Sequence, residues 1–261
     1  MTLDVAGKVA VITGASRGLG AGLAVHFAAA GLHLGLCARH RPSLVVATRP
    51  TAREGRVVSA EAPVRAAVDV TDYDGLAAFV DDVVTRFGRI DLWINNAGVV
   101  APIGPLATAD PDEIGRNISV NVIGVLHGSS LFAEHVRSRP GGGVLINISS
   151  GAGTRPYAGW GAYCAAKAAV DQLTRVVALE EAAHGLAAYA VAPGVIDTDM
   201  QVAVRAAPAA DFPDVVRFRQ IATEGAFNSP AWVADHLLTI AFGSHRPSQV
   251  TVRLPAQPAS G

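Results

Sequence analysis

Seven short runs rich in Val, Ile, Leu and Ala recur along this chain, at residues 9–12, 32–36, 64–68 (with Arg65 inside it), 92–94, 144–148, 187–191 and 250–252. They are close to continuous in hydrophobicity. A strand with one face in water alternates apolar and polar residues; a strand without that alternation is covered on both faces, as in a parallel sheet. Between the runs lie segments of helical period: one after Gly18, then Tyr73–Phe87, 111–137 and 162–183. The third opens with Asp110 as cap, Pro111 at the first helical position and Glu113 three residues after the cap. The fourth stops at His184-Gly185, a helix-ending pair. Only 40–63 is irregular, because Pro42, Pro50 and Pro63 interrupt it.

Strands alternating with helices and no long linker predict one domain over residues 1–261. The first turn sharpens that expectation. Thr13-Gly14-Ala15-Ser16-Arg17-Gly18-Leu19-Gly20 lies between the first strand and a helix. Glycines there let the backbone approach a pyrophosphate, and the helix N-terminus presents free N–H groups to it. The expected architecture is therefore α/β, a Rossmann-type doubly wound, mostly parallel seven-stranded sheet with helices on both faces.

Other function classes are disfavoured by composition. A net charge of -1, with Lys and Arg scattered, leaves no footprint for nucleic acid. The longest stretch without a charged side chain, 18–38, is broken by His26 and His33 and punctuated by Gly22, Gly31 and Gly35, so no membrane span is expected. Residues 1–8 lack the pattern of a signal peptide, and two cysteines, Cys37 and Cys164, make neither a disulfide framework nor a zinc site. A cytoplasmic protein without a metal fits these observations.

Tyr163 and Lys167, four apart on a helix, share one face. A phenol with an ordinary pKa near 10 is a poor acid/base at neutral pH, and a neighbouring ammonium is expected to lower it toward the working range. Two hydroxyls, Ser149 and Ser150, end the fifth run; Asn121 sits mid-helix, where asparagine is unfavourable.

Four ordered motifs, Thr13-Gly14-x-x-x-Gly18-x-Gly20, Asn95-Asn96-Ala97-Gly98, Tyr163-x-x-x-Lys167 and Pro193-Gly194, together resemble the short-chain dehydrogenase/reductase family from residue 8 to about 200. The resemblance implies an oxidoreductase that moves a hydride between a nicotinamide dinucleotide and a small-molecule carbonyl or alcohol. In this reading Tyr163 is the general acid/base and Lys167 also holds the nicotinamide ribose. Ser150, 13 positions before the tyrosine, holds the substrate oxygen, and Asn121 marks a helix break that keeps a proton-relay water beside Lys167. The implied cofactor contacts are Gly14, Ser16, Arg17, Gly18, Leu19 and Gly20 in the first loop, Asp69 and Val70 at the adenine, and Asn95, Ala97 and Gly98 after the fourth strand. Tyr163, Lys167, Pro193, Gly194, Ile196 and Thr198 complete the set around the ribose and carboxamide.

An NAD enzyme carries an acid at the end of the second strand, for the ribose 2′-hydroxyl. Here Ala38 stands there, followed by Arg39, with Arg17 as a second cation, a pairing that suits a 2′-phosphate. NADP(H) is therefore favoured over NAD(H). The substrate pocket is expected from 99–106, 151–160 and a loop at 198–228. Pro156, Tyr157, Trp160, Met200, Phe212 and Phe218 suggest an apolar cavity, with Arg155 and Arg205 as cations at hand. Ala166, Val170, Leu173 and Val177, with Leu126, Phe132 and Val136, suggest an apolar patch shared by two helices, and with it a homodimer or homotetramer. The C-terminal 250–255 lacks the Asp-Gly-Gly ending of many members. Two other readings remain: a non-catalytic dinucleotide-binding regulator or scaffold of the same fold, and an epimerase or dehydratase, which the short chain disfavours.

Overall fold

The computed structural model describes residues 3–43, 51–53, 56–58 and 61–258. The strands are β1 Val9–Thr13, β2 His33–Ala38, β3 Thr51–Arg53, β4 Arg56–Val58, β5 Val64–Ala67, β6 Leu92–Asn95, β7 Gly143–Ile148, β8 Leu186–Ala192 and β9 Thr251–Arg253. Seven of them form one sheet in the order β5-β2-β1-β6-β7-β8-β9, with every pair parallel. All seven apolar runs are strands of this sheet. Within 40–63, β3 and β4 form a separate antiparallel ribbon, and 44–50, 54–55 and 59–60 lie outside the described residues.

The helices are α1 Gly18–Ala29, α2 Tyr73–Phe87, α3 Pro111–Ile118, α4 Gly124–Arg137, α5 Gly161–Glu181, α6 Asp199–Ala206, α7 Val215–Glu224 and α8 Pro230–Phe242. Period-two side-chain direction explains why the runs had to be continuous. Ala10 and Ile12 of β1 pack with α1 and α8 on one face, while Val9 and Val11 pack with α2, α4 and α5 on the other. Asp110 caps α3 as the sequence indicates, accepting from the Asp112 N–H; in α2, Asp72 accepts from the Gly75 N–H and Gly88 closes the helix at φ 77°.

The helix over 111–137 is interrupted at Asn121, where the resemblance implies a break: a π turn, Ser119–Ile123, joins α3 to α4. One expectation changes: the region 198–228, expected as a loop, contains α6 and α7.

The expected apolar patch also changes. Ala166, Val170, Val177, Phe132 and Val136 are buried within the chain and Leu173 is half-buried, because α4 and α5 pack side by side on the sheet and spend those residues there. The apolar residues these elements expose are Ile123, Leu126, Val176 and Leu179, of which Leu179 is 81% exposed. Arg137 and Glu181 tie the two helices with a bidentate ion pair.

Candidate active site

The strand order reverses at β1, whose neighbours β2 and β6 carry the chain away in opposite directions, so a crevice opens beyond the carboxyl ends of β1 and β6. Backbone packing shapes it. A Cβ on Gly14 would lie 2.7 Å from the Ala97 Cα, and Gly14 holds φ 66°, a conformation that costs glycine nothing. A side chain at Gly20 would collide with the Gly14 carbonyl. Thr13 and Asn96 lock the two loops together: Asn96 and Ala97 donate backbone N–H bonds to the Thr13 hydroxyl at 3.0 and 3.1 Å, and the Asn96 amide donates to the Thr13 carbonyl at 2.9 Å. Asn96 was not singled out in the sequence; it stands inside a motif whose neighbours were.

The N-terminus of α1 has no side-chain cap and no acid in its first turn. Ser16, Arg17 and Gly18 are exposed there, Leu19 and Gly20 are buried beneath, and the Thr198 methyl packs on Gly18. An uncapped helix start above a side-chain-free cradle fits a dinucleotide pyrophosphate. At the far end Ala38 closes β2, Arg39 is exposed, and Asp69 accepts both the backbone N–H and the hydroxyl of Thr71 at 3.0 and 2.9 Å. Val70 is buried against Gly124. Arg17 pairs with Asp199 at 2.8 Å, both side chains 70% exposed.

Asn95 has a different position from its motif neighbours. Its amide is 3% exposed and points into the sheet's helix face, where it accepts from the Trp93 indole at 2.7 Å and donates to Asn147 at 2.8 Å. Asn147 donates on to Thr174 at 2.9 Å. The Asn95 side chain is thus occupied by a buried polar ladder between β6, β7 and α5.

The catalytic candidates converge where β7, the π turn and α5 meet. Lys167, 5% exposed, donates to the Ile148 carbonyl at 2.8 Å, and its Nζ lies 5.6 Å from the centre of the Tyr163 ring. The Ser150 hydroxyl is the polar group that acts on the Tyr163 phenol, and it accepts from the Ala152 N–H at 3.2 Å. Asn121 is fully buried: its amide donates to the Val99 carbonyl at 2.7 Å and to Asn117 at 2.9 Å, and its Oδ1 accepts from the Val99 N–H at 3.1 Å. Only one lone pair of that side chain is left for a water. A Cβ at Gly98 would lie 2.9 Å from Asn121 Oδ1 and 3.9 Å from Lys167 Nζ, so Gly98 separates the two.

The electrostatics correct one expectation. The Tyr163 phenol is not lowered; burial pushes it up to about 12, with the Ser150 hydrogen bond pulling the other way. Burial likewise draws Lys167 down to about 8, against the charge of Asp171. Desolvation dominates both shifts because both groups are nearly out of water.

With this geometry in place, comparison with known proteins is decisive. The family pattern described as short chain dehydrogenase matches residues 8–209. The chain is a short-chain dehydrogenase. Among its relatives, a benzil reductase ((S)-benzoin forming) of Bacillus subtilis is 32% identical over 232 residues, which cover 88% of this chain and 91% of that protein. A 3beta-hydroxysteroid dehydrogenase 1 of Eggerthella lenta is 35% identical over 207 residues, 79% of this chain and 77% of that one. The crystal structure of levodione reductase superposes with a TM-score of 0.79 at 27% identity, covering 95% of each chain.

The dehydrogenase builds a wall of aromatic rings next to Tyr163. Trp160 meets Tyr163 edge-on at 5.3 Å and stacks on Phe212 at 4.5 Å; Phe218 and Tyr157 close the group at 5.3 and 5.1 Å from Trp160. Met200, Val204 and Val215 pack into the same cluster. The nearby cations are engaged: Arg155 with Asp214 and over the Tyr157 ring, Arg205 with Asp197.

Behind the wall, Asn228 fastens the loop after β8. Its amide donates to the Pro193 carbonyl at 2.8 Å and the Pro255 carbonyl at 3.2 Å, and it lies under Gly194, whose φ is 83°. Ile196 is buried, and Thr198 opens α6 without spending its hydroxyl on a cap. Asn228 carried no signal in the sequence beyond its place ahead of Ser229-Pro230. Among the described residues no helix is long and apolar enough to cross a membrane, and no cluster of His, Cys, Asp and Glu could hold a metal.

Proposed function

We propose that this dehydrogenase is an NADP(H)-dependent reductase of bulky, apolar carbonyl compounds, with a vicinal aromatic diketone as the type of substrate. The observation that carries the reading is the aromatic wall set edge-on to Tyr163, on the helix that also brings Lys167 under the Tyr163 ring. The bound cofactor supplies the hydride. Ser150 holds the carbonyl oxygen, Tyr163 delivers its proton to that oxygen as negative charge develops there, and the Lys167 ammonium stabilises the phenolate that remains. The names of the relatives support the substrate class: one reduces benzil, another is a steroid dehydrogenase, and the structural neighbour is levodione reductase.

The NADP(H) preference rests on Ala38, Arg39 and Arg17. Arg17's partner Asp199 does not oppose it strongly, since an exposed pair of this kind contributes about 0–1 kcal/mol, less than a phosphate bound by two guanidinium groups. Reduced-cofactor oxidation with benzil, levodione and a 3-ketosteroid, run with NADPH and NADH on the parent and on Arg39→Asp, tests both parts. Expected are turnover of at least one diketone with NADPH in the parent, and a ratio of NADPH to NADH dissociation constants that rises by about tenfold or more in the variant. A parent that already prefers NADH refutes the cofactor assignment; no turnover on any of the three refutes the substrate class.

We also infer that copies associate through the apolar residues that α4, α5 and the π turn leave exposed, Ile123, Leu126, Val176 and Leu179. Light scattering behind a sizing column is expected to give a dimer or tetramer at micromolar concentration. A single species near 26.8 kDa refutes it.

A further inference from the structure

One ionisable group beside the site has no part in the mechanism above. Asp171 follows Lys167 by four residues and Tyr163 by eight, so the three share one stripe of α5. It is 3% exposed. Its Oδ1 accepts the hydroxyl of Ser149, the residue before Ser150. Its Oδ2 lies against Gly153, where a Cβ would stand 2.5 Å away. Removing a carboxylate from water costs several kcal/mol unless its partners are well placed.

The surroundings identify those partners. On α5 the charged groups acting on Asp171 are Lys167 and Arg175. From the residue that follows β7 comes the Ser149 hydroxyl, and from the turn beyond it the backbone at Gly153. From β9, Thr251 binds Arg175 at 3.0 Å, and Arg253 lies over Gly151. Lys167 in turn faces the Tyr163 ring on its own helix, the Ile148 carbonyl of β7, and Asn121 of the π turn across Gly98.

We propose that Asp171 is a positioning residue of the active site: its carboxylate keeps Lys167 in the ammonium form and anchors the strand end from which Ser150 meets Tyr163. The proposal rests on the roles given above to Tyr163, Ser150 and Lys167. The opposing influences on Lys167 agree with it, since burial lowers that amine and Asp171 raises it. Asp171→Asn keeps the shape and the acceptor for Ser149 and removes the charge. Loss of a neighbouring opposite charge disfavours the cation, so Lys167 deprotonates at lower pH in the variant.

The sequence makes this measurable, because Lys8 and Lys167 are its only lysines. Two side-chain resonances are expected from lysine-labelled protein, with Lys8 as internal reference. In the parent, Lys167 is expected to titrate near pH 8, and in Asp171→Asn about one unit or more lower, a tenfold change in the proton equilibrium. The alkaline limb of kcat moves by the same interval. Ser149→Ala, which keeps the charge and loses the anchor, lowers kcat at all pH values and leaves the Lys167 midpoint in place. Equal Lys167 midpoints in the parent and Asp171→Asn overturn the electrostatic role; a parental kcat in Ser149→Ala overturns the anchoring role, even should Asp171→Asn fail to fold. The resonance is read without cofactor or substrate, so its outcome is independent of whether the protein reduces diketones.

Discussion

Tyr163→Phe is expected to lower kcat by about 10²-fold or more, with the melting temperature and NADPH affinity close to the parent's. The ring carries the packing: it is 7% exposed and meets Trp160 edge-on, and phenylalanine keeps both features. The variant loses one oxygen, the group that under the proposed function carries the proton to the developing alkoxide. Burial strengthens the expectation. A phenol held near 12 stays protonated across the working range, so no fraction of the parent is idle as phenolate at neutral pH. Steady-state rates with the best carbonyl substrate decide it, and a variant keeping more than about a tenth of parental kcat removes Tyr163 from the proton transfer.

The second large effect is on stability. Asn95→Ala deletes the centre of a ladder whose members are almost wholly buried: Trp93, Asn95, Asn147 and Thr174, with Ser129 Oγ also accepting from Asn95 at 3.2 Å. Asn95 and Asn147 are register partners on adjacent strands, so no movement of one chain segment can restore the bond. Without Asn95 the Trp93 indole N–H and the Asn147 Oδ1 lose their partners in a water-free interior, at about 1–3 kcal/mol for each orphaned group. A loss of about 3 kcal/mol corresponds to a melting temperature lower by about 6–12 °C for a chain of this size. Calorimetry measures it. A change under about 2 °C, or a specific loss of NADPH affinity at an unchanged melting temperature, would return Asn95 to the cofactor-contact role that its motif suggests.

Asn95 shows where the sequence was legible and where it was not. The seven strands were readable because burial on both faces leaves no other composition for them, and Asp110 and Gly185 punctuate their helices by local chemistry alone. Motif spacing brings Ser150, Tyr163 and Lys167 to one place for the same reason, since four residues on a helix is a fixed displacement. Which way an Asn amide turns within a motif depends on what the neighbouring strand offers, and that is not local. The π turn at Asn121 adds no residue type that a regular helix excludes, so the residues hinted at it only through an unfavourable asparagine, and the break itself came from the family resemblance. Asp171 reads in sequence as one more acid on a helix; its burial comes from the turn after β7 lying over it. The Tyr163 pKa was misjudged because charge is visible in a sequence and desolvation is not. α8 had its signal in Ser229-Pro230, where the Ser229 hydroxyl accepts from the Trp232 N–H, but its apolar residues surround the helix and leave no stripe to read.

The place of β1 at the centre of the sheet has a consequence for synthesis. Its first neighbour, β2, follows at once, but its second, β6, begins at Leu92, and the bonds from Asn96 to Thr13 span 83 residues. At a translation rate of about 5–20 residues per second, one edge of β1 waits on the order of 4–17 s for its partner. During that interval a nascent chain presents an unpaired, wholly apolar strand, the kind of edge that recruits other chains. The same long-range closure that joins the first loop to the end of β6 therefore delays its assembly until more than a third of the chain is made, and the yield of folded protein depends on how well that edge is shielded until β6 emerges from the ribosome.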